Sequence, residues 1–287
     1  MRLHTLTAMP ESHAPIKPDP LKELFKNPKP IIAMIHLPPL PGAPRYRGQP
    51  VEDIIEYALR DAELLKSGDV DGLQVENIGD IPYLKPDDIG HETTAMLAVV
   101  AREVRKSTGM PVGICCLANG VIQAMAAALA SGARWVRAAE WANAYIADEG
   151  FVEAIAHKAL RYRNHLRAEH IKVFADVQVK HGSHFIISDR PFEEQVLDVE
   201  FFDADAIIVS GTRTGAATPA EKVIAAKKAT LLPVLVGSGL TPENAPQLLK
   251  HADGAIVGSY LRKDGKFWNP IDMNRVKQLM TIVKQLR

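Results

Sequence analysis

"VLVGSGLTPENAPQLLKHADGAIVGSY", residues 234 to 260, places Gly-Ser-Gly after one apolar run and Gly-Ser after the next. Two short β-rich runs, joined by a stretch of helical periodicity, read as consecutive strand–helix units of a parallel sheet. Gly and Ser at a strand's end leave backbone N–H groups open, and groups of that kind hold anions. The stretch therefore predicts parallel strands with a phosphate-sized ligand at their carboxyl ends.

Upstream the same unit recurs. β-Rich runs stand at 31–37, 71–77, 111–117, 133–139, 171–179, 205–210, 233–238 and 254–259. Helical patterns follow at 51–67, 92–107, 120–131, 151–168, 192–201, 219–229, 242–250 and 272–286, with apolar residues at spacings of three and four, as in Ile54, Ile55, Ala58, Leu59, Ala62 and Leu65. Eight units in order, with strands apolar through both faces, predict a single (β/α)8 TIM barrel of the α/β class over residues 30–287, with a doubly wound sheet as the structural rival. "TPAEK" (218–222) and "TPENA" (241–245) each offer Thr as an N-cap with Pro at the next position, which turns helix N-termini towards the rim where strands end. Residues 1–29 hold five prolines and the amphipathic piece "LKELF", and read as an irregular arm.

Composition narrows the partner. In 287 residues, 47% hydrophobic, Lys plus Arg and Asp plus Glu are both 34, so no broad electrostatic case exists for nucleic acid. No run approaches the roughly 18 apolar residues of a membrane-spanning helix. Cys115 and Cys116 are neighbours, poorly placed for a disulfide, and no signal-peptide pattern opens the chain. These features predict a cytoplasmic protein with a small-molecule partner, and the arm suggests a homo-oligomer.

In such a barrel the strand ends build the site. Glu76 follows an apolar run, where a carboxylate is costly unless paired or used, and is the first choice for acid/base work. Asp176 and Lys180 share parity on the fifth strand and, at about 3.3 Å per residue, stand roughly 13 Å apart while the strand stays regular. Asp176 reads as a base or positioning group, and Lys180 as an anion binder or Schiff-base amine. His36 ends the first strand. These four form the catalytic set. Gly237, Ser238, Gly239, Gly258 and Ser259 form the phosphate turns, with Ser210, Gly211, Thr212 and Gly215 of "SGTRTG" adding donors, and Asn77 and His181 completing the binding set. No cofactor is expected; a divalent ion on Glu76, Asp176, His36 and His181 is a further option, although no close-spaced ligand motif supports one. Both cysteines read as packing residues.

"IIAMIHLPPLPGAPRY", "DGLQVENIGDIPY", "FADVQVKHG", "AIIVSGTRTG" and "PVLVGSGLTPENA" closely resemble the BtpA family, which includes SgcQ-like bacterial proteins, from about residue 30 onward. The resemblance implies a ribulose-phosphate-binding-type barrel. It also implies recurring polar positions at His36, Glu76, Asn77, Asp80, Asp176, Lys180, His181, Ser210, Thr212, Gly215 and Gly237 to Gly239. The family takes its name from photosystem I biogenesis, while its wider distribution suggests sugar or nucleoside settings. This chain departs at "ICCLANG", with Ala118 and Gly120 where the family commonly has arginine and aspartate, and at "RAAEW", which brings Glu140 and Trp141.

The leading expectation is an enzyme acting on a phosphorylated sugar or nucleoside-like compound, by lyase, isomerase or glycosidic cleavage chemistry. The alternative is a non-catalytic biogenesis or stability factor for a membrane complex such as photosystem I, whose partner surface would be the arm at Leu21, Leu24 and Phe25. A third is a ligand sensor without turnover.

Overall fold

The computed structural model describes residues 17–287. Eight parallel strands close into a barrel: β1 Ile31–His36, β2 Gly72–Glu76, β3 Val112–Cys115, β4 Trp135–Ala138, β5 Lys172–Val177, β6 Ala206–Val209, β7 Val234–Val236 and β8 Gly254–Val257. Sequence neighbours pair all the way round, and β8 returns to β1 with Ile31 opposite Ala255. The amphipathic helices Val51–Ser67, His91–Thr108, Val121–Ser131, Phe192–Phe201, Ala220–Ala229 and Met273–Gln285 cover the outside with their apolar faces.

Alternation along each strand sorts its residues. One parity faces the helices and joins the large outer core. The other fills the barrel with Ile32, Met34, Trp135, Phe174, Ala206, Ile208, Leu235 and Ile256. Trp135 is the keystone of this interior: its indole stacks on Phe174 with ring centroids 5.7 Å apart and donates to Gln74 Oε1 at 2.9 Å. A Cβ on Gly113 would overlap the indole, so only glycine leaves room for it there. Two residues further along the same inward parity come His36, Glu76, Cys115, Arg137, Asp176, Ser210, Gly237 and Gly258, one from each strand's carboxyl end. The polar layer is thus fixed by the same two-residue period that fills the core.

Three expectations need correction. Residues 151–168 do not form one helix: Ala144–Ala147 and Gly150–Glu153 make an antiparallel hairpin, and a helix runs only over Ala156–His165. Gly182–Ser183 adds a third strand, so the segments after β4 and β5 are knitted into a small sheet. The arm's described part is not an open surface. Asp19 caps a short helix, Pro20–Leu24, and Leu21, Leu24 and Phe25 are buried in the barrel interior, Phe25 with its ring edge on Trp135 at 5.5 Å. Burial takes these three out of the surface expected for an assembly partner; residues 1–16 of the arm lie outside the described residues. Finally, neither Thr218 nor Thr241 caps a helix: the helix after Thr241 starts only at Ala245, with Asn244 before it, and the Thr218 hydroxyl donates to the carbonyls of Val209 and Ser238 and ties two rim loops together.

Candidate functional site

A cavity of about 430 Å³, counting the open space at its mouth, lies at the carboxyl ends of the strands. His36, Glu76, Arg137 and Lys180 line its deep side, and Gly215, Gly237, Ser238, Gly239, Gly258 and Ser259 line the other.

The glycine side is shaped by close backbone approach. Gly239 has φ +65°, and a Cβ there would overlap the Ala216 carbonyl; a Cβ on Gly258 would stand 2.9 Å from the His36 ring. Ser238 Oγ accepts from Gly211 N–H at 2.8 Å and donates to Ala216 O at 3.0 Å, locking the "SGTRTG" loop against the 237–239 turn. Among the described residues, no protein acceptor takes the N–H groups of Gly239, Gly258 or Ser259. Unpaired amides at a concave, partly enclosed surface are anion donors.

On the deep side Arg137 governs the charges. Its Nε and Nη2 donate to Asp176 Oδ2 and Oδ1 at 2.7 and 2.8 Å, and the Ser210 hydroxyl donates to Asp176 Oδ1 at 2.8 Å. Burial opposes the guanidinium's charge, but Asp176 outweighs it and holds the Arg137 pKa above its usual value. Asp176 is therefore engaged on both oxygens and only 2% exposed; it is absent from the cavity lining and acts as the arginine's counterion.

Glu76 Oε1 stands 3.9 Å from His36 Nε2, with Cys115 bonded to the same carboxylate. His36 Nδ1 lies 3.0 Å from the Phe267 carbonyl, which fixes it as the protonated nitrogen and leaves the Nε2 lone pair facing the cavity. Burial, with Arg262 nearby, pushes the His36 pKa down to about 3 from 6.5. An unfolded histidine binds a proton below 6.5 that the folded one refuses, so this group's stabilisation is present above that pH and is lost as pH falls towards 3. Between pH 7 and 4 the loss is on the order of 3 kcal/mol. Accordingly, His36→Gln should show a smaller drop in thermal midpoint over that interval than the parent, and equal drops would refute the assignment of a neutral His36.

Lys180 reaches the cavity because β5 does not continue. Gln178 takes φ +52°, and its side chain turns outward to accept from Lys222 at 2.7 Å and donate to Gln195 at 3.1 Å. Val179 then packs with Tyr145 and Val152 of the hairpin, and Lys180 joins the cavity lining. The parity that joined Asp176, Gln178 and Lys180 in the sequence is broken by this one residue. Burial first and Arg137 second lower the Lys180 pKa, while Glu76 works in the opposite direction. Among the described residues, no hydrogen bond or ion pair engages its ammonium.

Other predicted site residues lie elsewhere. Asn77 is 1% exposed and braces two loops, donating to Asp80 at 2.9 Å and accepting from Leu117 N–H at 2.8 Å. Gly211 is buried inside its loop. Thr212 and His181 are exposed outside the cavity, with His181 Nε2 taking the Thr214 N–H at 2.9 Å. With Asp176 on Arg137 and His181 on Thr214, the four residues considered for a divalent ion do not converge, and among the described residues no group of three or more His, Cys, Asp or Glu is placed to hold one. Arg137 is the site residue that the sequence reading passed over.

Comparison with known proteins gives the family and the barrel. The model of the BtpA family matches residues 27–285. An uncharacterized protein of Thermococcus kodakarensis is 42% identical over 90% of this chain and 97% of its own. The photosystem I biogenesis protein BtpA of Synechocystis is 35% identical over 89% of this chain and 88% of its own. Among solved structures, (S)-3-O-geranylgeranylglyceryl phosphate synthase from Thermoplasma acidophilum, in complex with sn-glycerol-1-phosphate, superposes with TM-score 0.57 at 15% identity, covering 93% of this chain and 97% of that one. N-(5'-phosphoribosyl)anthranilate isomerase from Pyrococcus furiosus gives TM-score 0.55 at 15% identity, over 90% and 99%. At such identities these two show the shared barrel. Among the described residues, no helix is long and apolar enough to cross a membrane.

Proposed function

The chain belongs to the BtpA family, and from that premise we propose that it is an enzyme acting on a small phosphorylated sugar or sugar-like compound at the mouth of its barrel. The observation that carries this reading is a single cavity with unengaged amides of two glycine turns on one side and Glu76, Lys180, Arg137 and His36 on the other. The phosphate is assigned to Gly237, Ser238, Gly239, Gly258 and Ser259, the loops after β7 and β8 that serve this purpose in many barrels. The reacting end then lies over Glu76 and Lys180. That both solved neighbours act on phosphorylated compounds, as their names state, fits the proposal. The proposal sets the reaction in the cytoplasm, with no nucleic acid.

Thermal unfolding with a panel of phosphosugars, nucleoside phosphates and inorganic phosphate tests it. A ligand at 100 times its dissociation constant adds about 2.7 kcal/mol. Because any side chain at Gly239 overlaps the Ala216 carbonyl, the informative variant is Ser259→Asp, which brings a carboxylate to the anion site from a residue already carrying a side chain. A stabilisation seen in the parent and abolished in Ser259→Asp supports the site. No stabilisation by any phosphorylated compound refutes it.

A further inference from the structure

We infer that the chemistry built into this cavity is removal of a proton from the carbon beside a substrate carbonyl, with Glu76 as the base and Arg137 and Lys180 holding the oxygen that becomes negative. The inference rests on the phosphosugar reading above and selects one reaction class within it.

Three observations lead there. First, Arg137 spends Nε and Nη2 on Asp176 and leaves Nη1 without a hydrogen-bond partner among the described residues, while contributing to the cavity wall. Lys180, its neighbour at the cavity, has no hydrogen-bond or ion-pair partner among the described residues. Two cationic donors are thus aimed at one space and held by Asp176 on one side and by Val179 against the hairpin on the other. Donors fixed before the reaction are what a developing oxyanion needs.

Second, Glu76 is the only carboxylate among the described residues that line this cavity. Cleavage of a glycosidic bond by the usual route needs two carboxyl groups flanking the bond, one as acid and one as base or nucleophile. Asp176 cannot be the second, since both its oxygens are taken. Glu140 is 4% exposed and outside the lining. Proton removal beside a carbonyl needs only one carboxylate.

Third, the charges balance for a neutral carbonyl and not for another fixed anion. Arg137 and Asp176 cancel, as do Lys180 and Glu76, so the deep side starts neutral in sum. When the Glu76 carboxylate takes the proton, the C–H electron pair becomes the new C=C bond and the carbonyl π pair moves to oxygen. The negative charge leaves Glu76 and appears on the enediolate oxygen, beside the two cations. Where the deprotonated carbon carries a hydroxyl, passage of that hydroxyl's proton to the enediolate oxygen and return of the proton from Glu76 to the former carbonyl carbon complete an isomerisation; no oxidant or reductant is consumed.

The test compares two probes by calorimetry: glycerol 3-phosphate, which carries a phosphate and no carbonyl, and phosphoglycolohydroxamate, whose planar hydroxamate mimics a phosphorylated enediolate. The hydroxamate is expected to bind at least about 100-fold more tightly, as transition-state mimics do. In Lys180→Met, whose folding is checked by its unfolding midpoint, the advantage should shrink below about tenfold with glycerol 3-phosphate affinity unchanged. Equal affinity of the two probes for the parent protein overturns the inference and leaves the phosphate site standing. Failure of both to bind overturns the phosphate reading and this one with it. A covalent adduct trapped by borohydride with dihydroxyacetone phosphate also overturns it, in favour of an imine on Lys180.

Discussion

Glu76→Gln should fold like the parent protein and lose between about 10²- and 10⁴-fold in the rate at which solvent deuterium enters the carbon beside the carbonyl of an accepted phosphorylated ketone. The substitution keeps the shape of a side chain whose neighbours are His36 at 3.9 Å and Cys115, and removes the one carboxylate among the described residues that line the cavity. Affinity for glycerol 3-phosphate should change far less than the exchange rate, because the phosphate donors are the backbone amides of Gly239, Gly258 and Ser259 and not Glu76. A second readout separates a catalytic loss from a structural one. Glu76 supports the protonated form of Lys180, so its neutralisation lowers the lysine pKa further. Residual activity in Glu76→Gln should therefore decline at lower pH on the alkaline side than parental activity does. Exchange at the parental rate in a folded variant would remove Glu76 from the mechanism.

Arg137→Met should be the most damaging single change to stability near the site, at about 3–5 kcal/mol. Arg137 and Asp176 are 5% and 2% exposed, and deleting the guanidinium strands a carboxylate whose remaining partner is the Ser210 hydroxyl at 2.8 Å. The cost comes from the stranded charge more than from the lost hydrogen bonds. For that reason the double variant Arg137→Met/Asp176→Asn should recover more than half of the deficit, the new amide being uncharged and able to accept from Ser210. Urea unfolding, read as a change in midpoint at constant slope, measures both variants. If the double variant is as unstable as the sum of the two single variants, the pair is not coupled in the way the geometry requires.

Much of the architecture is written in short-range pattern. β-Branched runs at regular intervals mark all eight barrel strands, and the helix over Val51–Ser67 ends where Gly68 follows its last turn. The hairpin after β4 also carries its own signal: Tyr145 and Val152 are buried while Ile146 and Phe151 are exposed, an alternation of period two around the Asp-Glu-Gly turn at Gly150, φ +93°. The apolar residues from Phe151 to Leu160 also fit a helical period, and the helix expected over 151–168 took in the hairpin's second strand. Glu76 was legible because a carboxylate closing an apolar run is costly. Arg137 carries the same signal, a charge inside "WVRA", and its partner explains why the signal went unused: Asp176 looks like an available acid until the strand across from it is known. Lys180 depends on a single left-handed residue, Gln178, that no periodicity announces. Asn77 and His181 have site-like chemistry and sequence neighbours, and only their hydrogen bonds reveal that they support loops.

The plug at the base of the barrel sets an order of events during synthesis. Leu21, Leu24 and Phe25 are synthesised before every barrel strand, yet the cluster that receives them is assembled from Ile32, Trp135, Phe174, Ile208, Leu235 and Ile256, the last of which lies in the strand that closes the ring. Until that strand is made, the three apolar side chains have no complete seat, because their cluster draws on residues from both ends of the barrel. Contacts of that separation are slow to form because the loop must close before they reward it. The opening segment of the described chain is thus a late-docking piece, and its docking completes the barrel's interior cluster.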